Sequence, residues 1–234
     1  YKFGQPNPPE IEMKTSDIDT ESLVQGAMPE DGPAASGARE ALEAESRGQV
    51  EIVPLLKAAL RSEVEAAELG GFSLPTTPEL DAKSAFAQQC GDEMKHYRLI
   101  VARLAELGVD VSQEDPLAEG YSPLYHYVKG LKSTVERIAA GPFAREAIAR
   151  VRNEQFIELC EQLGDTGTAR LYRDVIQPEE IHHHELGRKV LERLCTTPEL
   201  QRLATQAARN TLAIADELST LAERSTGMHS IPVS

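Results

Sequence analysis

The chain contains no tryptophan, and aromatic residues make up only 5% of it. Valine and isoleucine are scattered and never run in the blocks from which buried strands are built, which argues against a β core. Cysteine is scarce: Cys90, Cys160 and Cys195 lie far apart and form no CxxC pair. That spacing speaks against a zinc ribbon or a rubredoxin-type module and predicts a reducing, cytoplasmic compartment. No run approaches the roughly 18 consecutive apolar residues of a membrane helix, and no signal-peptide pattern is read at the start. Positive charge is also short, with 24 Lys and Arg against 38 Asp and Glu, a formal net charge of −14. So acidic a surface repels nucleic acid and anionic membranes over most of its area.

What remains is rich in Ala, Leu, Glu and Arg, the good helix formers, so the class expected is all-α. At 234 residues, 41% apolar and 26% charged, the chain can bury a sizeable core in one domain. Residues 1–36 carry Pro6-Asn7-Pro8-Pro9 and Pro29-Glu30-Asp31-Gly32-Pro33 without a sustained apolar period, and are expected to form an extended or disordered arm. Residues 37–234 are expected to form the helical domain, with a core over 38–195.

Periodicity is clear from Val50. Ile52, Leu56, Leu60, Glu63, Ala67 and Gly70 share a helix face, and Gly70-Gly71 with Pro75 should end that helix. Thr77-Pro78-Glu79 reads as an N-cap and first turn for a second helix, whose stripe is Phe86, Gln89, Glu93, His96, Ile100, Leu104 and Leu107. A loop over 109–121 and a short helix from Ser122-Pro123 to about Ala140 form a crossover, which Gly141-Pro142 should break. A third long helix is predicted over about 142–163. A fourth runs from about Thr168 to Cys195, kinked by Pro178, and an additional helix covers 199–224.

Two of these helices carry the same acid–histidine spacing, Glu93-x-x-His96 and Glu180-x-x-His183. Residues three apart lie about 300° around a helix and one turn apart, so each pair can chelate one metal ion. Further carboxylates come from Glu63, Glu65 and Glu68 on the first helix and from Glu154, Glu158 and Glu161 on the third. Phase favours Glu63, in line with Leu60 and Ala67, while Glu65 shares its face with Arg61 and should meet water. Glu154 is preferred on the third helix, with Glu158 in reserve. In the fourth, Glu179 with His182 also has the right spacing. His183, however, continues into Leu186, Gly187 and Val190, and Gly187 would let a neighbouring helix approach. Asp92 and Glu179 adjoin the motif glutamates and could orient imidazoles across helices. Gln89 and Cys90 lie one turn before Glu93 and are candidates to line a cavity. A mixed carboxylate–imidazole set suits iron, with manganese the alternative, and not structural zinc.

The order Glu63, Glu93-x-x-His96, Glu154, Glu180-x-x-His183 resembles the ferritin-like di-iron carboxylate superfamily. The stretch from Asn153-Glu154-Gln155-Phe156 through Tyr172 to the last motif is most similar to its tRNA-modifying di-iron hydroxylases. The resemblance implies an antiparallel four-helix bundle with a helical crossover and an additional C-terminal helix. It implies two irons bridged by Glu154 and one motif glutamate, with His96 and His183 terminal. The activity expected is oxidation of an organic substrate with O2 or peroxide, served by an electron-donor protein in a small homo-oligomer. Ferritin- or rubrerythrin-like iron oxidation or peroxide reduction is the alternative, and a metal-free helical interaction module the second. Residues 129–152 hold Lys129, Lys132, Arg137, Arg145, Arg150 and Arg152 against only Glu136 and Glu146, either as solvated helix faces or as a landing strip for an anionic substrate.

Overall fold

The structure, a computed structural model, describes residues 52–226, with side chains as far as Leu218. The arm 1–36 and the periodicity before Ile52 lie outside the described residues. Every element within them is helical: α1 (Ile52–Ser73), a 3-10 turn (Leu74–Thr76), α2 (Leu80–Glu106), α3 (Pro123–Gly130) and α4 (Thr134–Ile138). A π-helical turn (Ala139–Arg145) joins α4 without a break to α5 (Glu146–Gln162). Then α6 (Thr166–Leu171) passes through a second π turn (Tyr172–Ile176) into α7 (Gln177–Leu194), and α8 (Pro198–Thr226) follows. No helix here is long and apolar enough to cross a membrane.

The start and stop signals act locally, though not always as the sequence predicts. Gly70-Gly71 do not end α1, which continues to Ser73. A Cβ on Gly70 would lie 2.9 Å from the Phe86 carbonyl oxygen, so the glycine lets α2 lie close against α1. Thr77 does not cap α2; its hydroxyl donates to the Ser73 carbonyl at 2.8 Å and seals the end of α1 instead. Ser122 caps α3 as expected, accepting from the Tyr125 amide at 3.1 Å. Ser133 and Glu136 form a reciprocal capping box that starts α4.

Gly141-Pro142 do not break the chain. Proline lacks an N–H and its ring clashes with the carbonyl four residues back. The π turn accommodates both defects, so 134–162 is one rod. The turn Tyr172–Ile176 does the same ahead of Pro178, and the fourth rod spans 166–194.

Contacts fix the directions of the rods. Gly70 faces Phe86 and Cys90 while Glu63 faces His96, so α1 and α2 are antiparallel. Asp92 meets His183 and Asp81 meets Arg193, which makes α2 and α7 antiparallel. Gln177 bonds to the Arg150 carbonyl and Gly187 abuts Pro142, so α5 and α7 are antiparallel too. The α4–α5 rod therefore runs the same way as α2, and the connection through α3 makes that return possible.

Two apolar cores stack along these rods. One gathers Phe86, Leu124, Ile138, Phe143, Val190 and Ala207, so that α8 covers it. The other gathers Leu56, Leu60, Ile100, Leu104, Phe156, Tyr172 and Ile176. Each rod passes from one core to the other through a polar layer: Glu63 on α1, Glu93 and His96 on α2, Glu146 on α5, Glu180 and His183 on α7. Apolar packing on both sides keeps water from that layer.

Candidate metal centre

Six ionisable side chains meet in the layer. Glu93, His96, Glu146 and Glu180 are 0% exposed, and Glu63 and His183 are 1% exposed. They form two overlapping groups, Glu63–Glu93–His96–Glu180 and Glu93–Glu146–Glu180–His183, each with ligand atoms within 4.8 Å of one another. Glu93 and Glu180 belong to both groups, so each could serve either position. Glu63 with His96, and Glu146 with His183, complete one position each.

The two halves are related by a crossed pattern. His96 Nε2 lies 2.8 Å from Glu179 Oε2, and His183 Nε2 lies 3.0 Å from Asp92 Oδ2. The acid beside each motif glutamate thus holds the histidine of the opposite helix. That leaves Nδ1 of both rings facing the centre. His96 Nδ1 lies 3.4 Å from Glu63, 3.5 Å from Glu93 and 3.3 Å from Glu180. His183 Nδ1 lies 3.5 Å from Glu180 and 3.8 Å from Glu93. Adjacent ligands bonded to one ion at about 2.1 Å stand about 3–3.4 Å apart, so His96 Nδ1 with Glu63 and with Glu180 already suits a shared cation, and the other separations are wider. Neither Nδ1 has a hydrogen-bond partner, nor do both oxygens of Glu93 and Glu180 or one oxygen each of Glu63 and Glu146. Eight buried polar atoms pointing at one another without partners are costly unless something binds between them.

Protons are held tightly here. Burial raises Glu63 and Glu146 well above the usual carboxylate range, and the neighbouring carboxylates Glu93 and Glu180 add to the effect. Burial alone would lower His96, but the carboxylates of Glu180, Glu63 and Glu93 outweigh it and raise the ring well above its normal value. His183 is raised to about 9, because Glu180, Glu93 and Asp92 overcome the effect of burial. Burial would also raise Glu180, yet His183 and His96 beside it hold it low. Bound cations would replace these protons, and two divalent ions would balance the four carboxylates.

Of the residues predicted from sequence, Glu63, Glu93, His96, Glu180 and His183 come together. Glu154 does not: it is exposed, and its carboxylate accepts from Gln177 at 3.3 Å. Glu158 is exposed as well, and Glu146 takes the position assigned to Glu154. The residues common to both groups are the two motif glutamates, and Glu154 belongs to neither. The buried line of α5 is Glu146, Ala149, Asn153, Phe156 and Cys160, so an acid and an amide occupy positions where apolar residues are expected. Treating Gly141-Pro142 as a break also put Glu146 in a helix's first turn, where acids commonly serve the dipole. One signal was available: Glu146 precedes Glu180 by 34 positions, close to the 30 between Glu63 and Glu93.

Gln89 is buried and its amide donates to Glu146. Cys90 instead packs beside Gly70 and Gly71. His182 is exposed, whereas His184 is buried and its Nδ1 lies 2.7 Å from the Phe143 carbonyl. Glu65 does not meet water: it is 5% exposed and accepts from the Ser122 amide at 2.7 Å and hydroxyl at 2.5 Å. Glu68 accepts from Tyr121 at 2.8 Å and Tyr125 at 3.2 Å, and these stacked rings pack onto the rods. Within 129–152, Arg137 and Arg145 are buried, and Arg137, Arg145 and Arg152 donate to the carbonyls of Leu131, Ser62 and Ala215. Half of that basic stretch braces the fold. Tyr172, unremarked among the candidates, buries a hydroxyl with no hydrogen-bond partner, and burial followed by the Glu63 charge raises it well above the usual range. Comparison of the chain with protein-family models, curated proteins and solved structures finds no match.

Proposed function

We propose that this chain is a ferritin-like protein that holds two iron ions, or manganese ions, between four helices. Its function in this reading is to oxidise an organic substrate with O2 or peroxide. The observation that carries the proposal is the doubled group of possible ligands: two four-residue sets sharing Glu93 and Glu180, with eight buried polar atoms lacking a hydrogen-bond partner. The up–down–down–up order of the rods supports the ferritin-like assignment.

When bound, such a pair supplies redox chemistry that amino-acid side chains cannot provide. The chain's own residues supply the frame. Glu63 and Glu146 provide one terminal carboxylate to each position, and His96 and His183 one imidazole each. Asp92 and Glu179 fix the tautomer by accepting the Nε2 proton, leaving Nδ1 as donor to a metal. Lys95 reaches Glu179 from the helix surface and sets its orientation. Gln89 orients Glu146. The cores above and below keep bulk water away, which suits reactions whose intermediates water would quench.

Metal analysis of protein expressed with iron tests the assignment. Two ions per chain are expected, falling to one or none in Glu146→Ala. Zero metal in the wild-type chain would overturn the reading and leave a helical interaction module. Peroxide reduction without any organic substrate is the second reading, favoured by how completely the centre is closed. Steady peroxide turnover by the loaded protein, with no substrate oxidised, would select it.

A further inference from the structure

A cavity of about 560 Å³ lies between α1, the connection leading into α3, the junction of the π turn with α5, and α8. Its size falls within the range of small-molecule sites. Ser62 and Arg145 line it, and these are the chain neighbours of Glu63 and Glu146. The cavity therefore borders the two rods that contribute a single carboxylate each. The histidine side of the centre is elsewhere, braced by Asp92 and Glu179 on the α2–α7 face.

The lining has two characters. Leu69, Leu124, Ala215 and Leu218 form an apolar wall. Charged residues are present too; of the acids, Asp115 accepts from the Leu117 amide, Glu119 is exposed near Arg61, and the other two are paired. Glu114 pairs with Lys57 at 2.6 Å, and Glu65 pairs with Arg61 at 3.2 Å while accepting from Ser122. Arg145 differs. It is 3% exposed, and its Nη2 donates to the Ser62 carbonyl at 2.8 Å. Its Nε has no acceptor, and the carboxylate its charge acts on is that of its chain neighbour Glu146. A buried guanidinium anchored at one nitrogen, beside an apolar wall, is an incomplete anion site, because a planar fork offers paired donors to a carboxylate.

We propose that this cavity binds a small amphiphilic carboxylate, with its acid group on Arg145 and its apolar body along Leu69, Leu124 and Leu218. That the bound molecule is the substrate rests on the metal reading above; the binding itself does not. Calorimetric titration of the full chain with octanoate, and with octanol as a neutral match, tests it in metal-free and Mn(II)-loaded protein. One octanoate per chain is expected, with octanol about tenfold or more weaker, as for loss of a charged hydrogen bond. Arg145→Met should abolish that preference. Ala58→Trp, at an exposed residue on the cavity wall, should remove binding of both and leave the Mn(II) stoichiometry unchanged. The Trp variant keeps the test open should loss of Arg145 prevent folding. No octanoate binding, equal binding of acid and alcohol, or unchanged binding in Ala58→Trp would each overturn the proposal. Octanoate binding without any Mn(II) uptake would instead support the cavity and overturn the metal reading.

Discussion

Replacing Glu93 by leucine should make the metal-free protein more stable, opposite to the usual effect of mutating a fully buried residue. Glu93 is 0% exposed and neither of its oxygens has a hydrogen-bond partner. Each unsatisfied buried polar group costs about 1–3 kcal/mol. Nearby imidazoles at 3.5 and 3.8 Å compensate in part, so a net gain of about 2 kcal/mol is expected on substituting a leucine of similar volume. In a domain of this size that raises Tm by about 4–8 °C. Wild-type protein should respond to metal instead. An ion at a hundred times its Kd adds about 2.7 kcal/mol, so two ions add about 5 kcal/mol, or roughly 10–20 °C. Thermal unfolding with and without Mn(II), followed by circular dichroism, gives the comparison. The expected order of Tm is metal-free wild type, then Glu93→Leu with or without metal, then loaded wild type. A metal-free variant melting several degrees below metal-free wild type would refute the reasoning, because Glu93 would then belong to a satisfied structural network. So would an undiminished response of the variant to Mn(II).

Other outcomes follow from the same geometry. Metal-free protein should lose stability as pH rises: groups held above their ordinary values bind more protons when folded, as Glu63 and Glu146 do from the acid side and His183 does between about 6.5 and about 9. Metal binding displaces those protons, so loaded protein should show the reverse trend over the same range, measured by melting at each pH. Asp92→Asn and Glu179→Gln should each weaken metal affinity by about 10–100-fold in competition titrations, without unfolding the chain. Gly187→Ala places a Cβ 2.9 Å from the Phe143 nitrogen and the Pro142 carbonyl carbon, and should cost about 1–3 kcal/mol by denaturant unfolding. Glu154→Ala should keep both ions and change stability by less than about 0.5 kcal/mol, since the side chain is exposed.

The helices and the motif glutamates were legible because they obey one period. Phe86, Gln89, Glu93, His96, Ile100 and Leu104 share a stripe whatever surrounds them, and all are buried. The same arithmetic separates His183 from the exposed His182, but does not anticipate that His184 is buried too. It failed where tertiary context outweighs local rule. Pro142 is read as a stop in any isolated helix, but here a π turn absorbs it, and Glu146 becomes a mid-rod residue. Glu65 looks like a surface acid until the crossover lays Ser122 over it. Arginines 137, 145 and 152 look like a charged patch because sequence gives their charge and not their carbonyl partners. Glu65, Arg145 and Arg152 are misread because their partners lie in distant segments, which periodicity within one segment cannot carry.

The crossed acids impose a condition on assembly. The α1–α2 hairpin carries Glu63, Glu93 and His96, yet it lacks both Glu180 and the Glu179 that orients its histidine. The α5–α7 hairpin is short of Glu93 and Asp92 in the same way. Neither half holds a complete four-residue group alone, so on the metal reading proposed above capture of an ion and closure of the α2–α7 seam would be one event. A chain that folds before metal arrives must hold that seam together with protons, and one that folds around metal acquires a rivet through both hairpins.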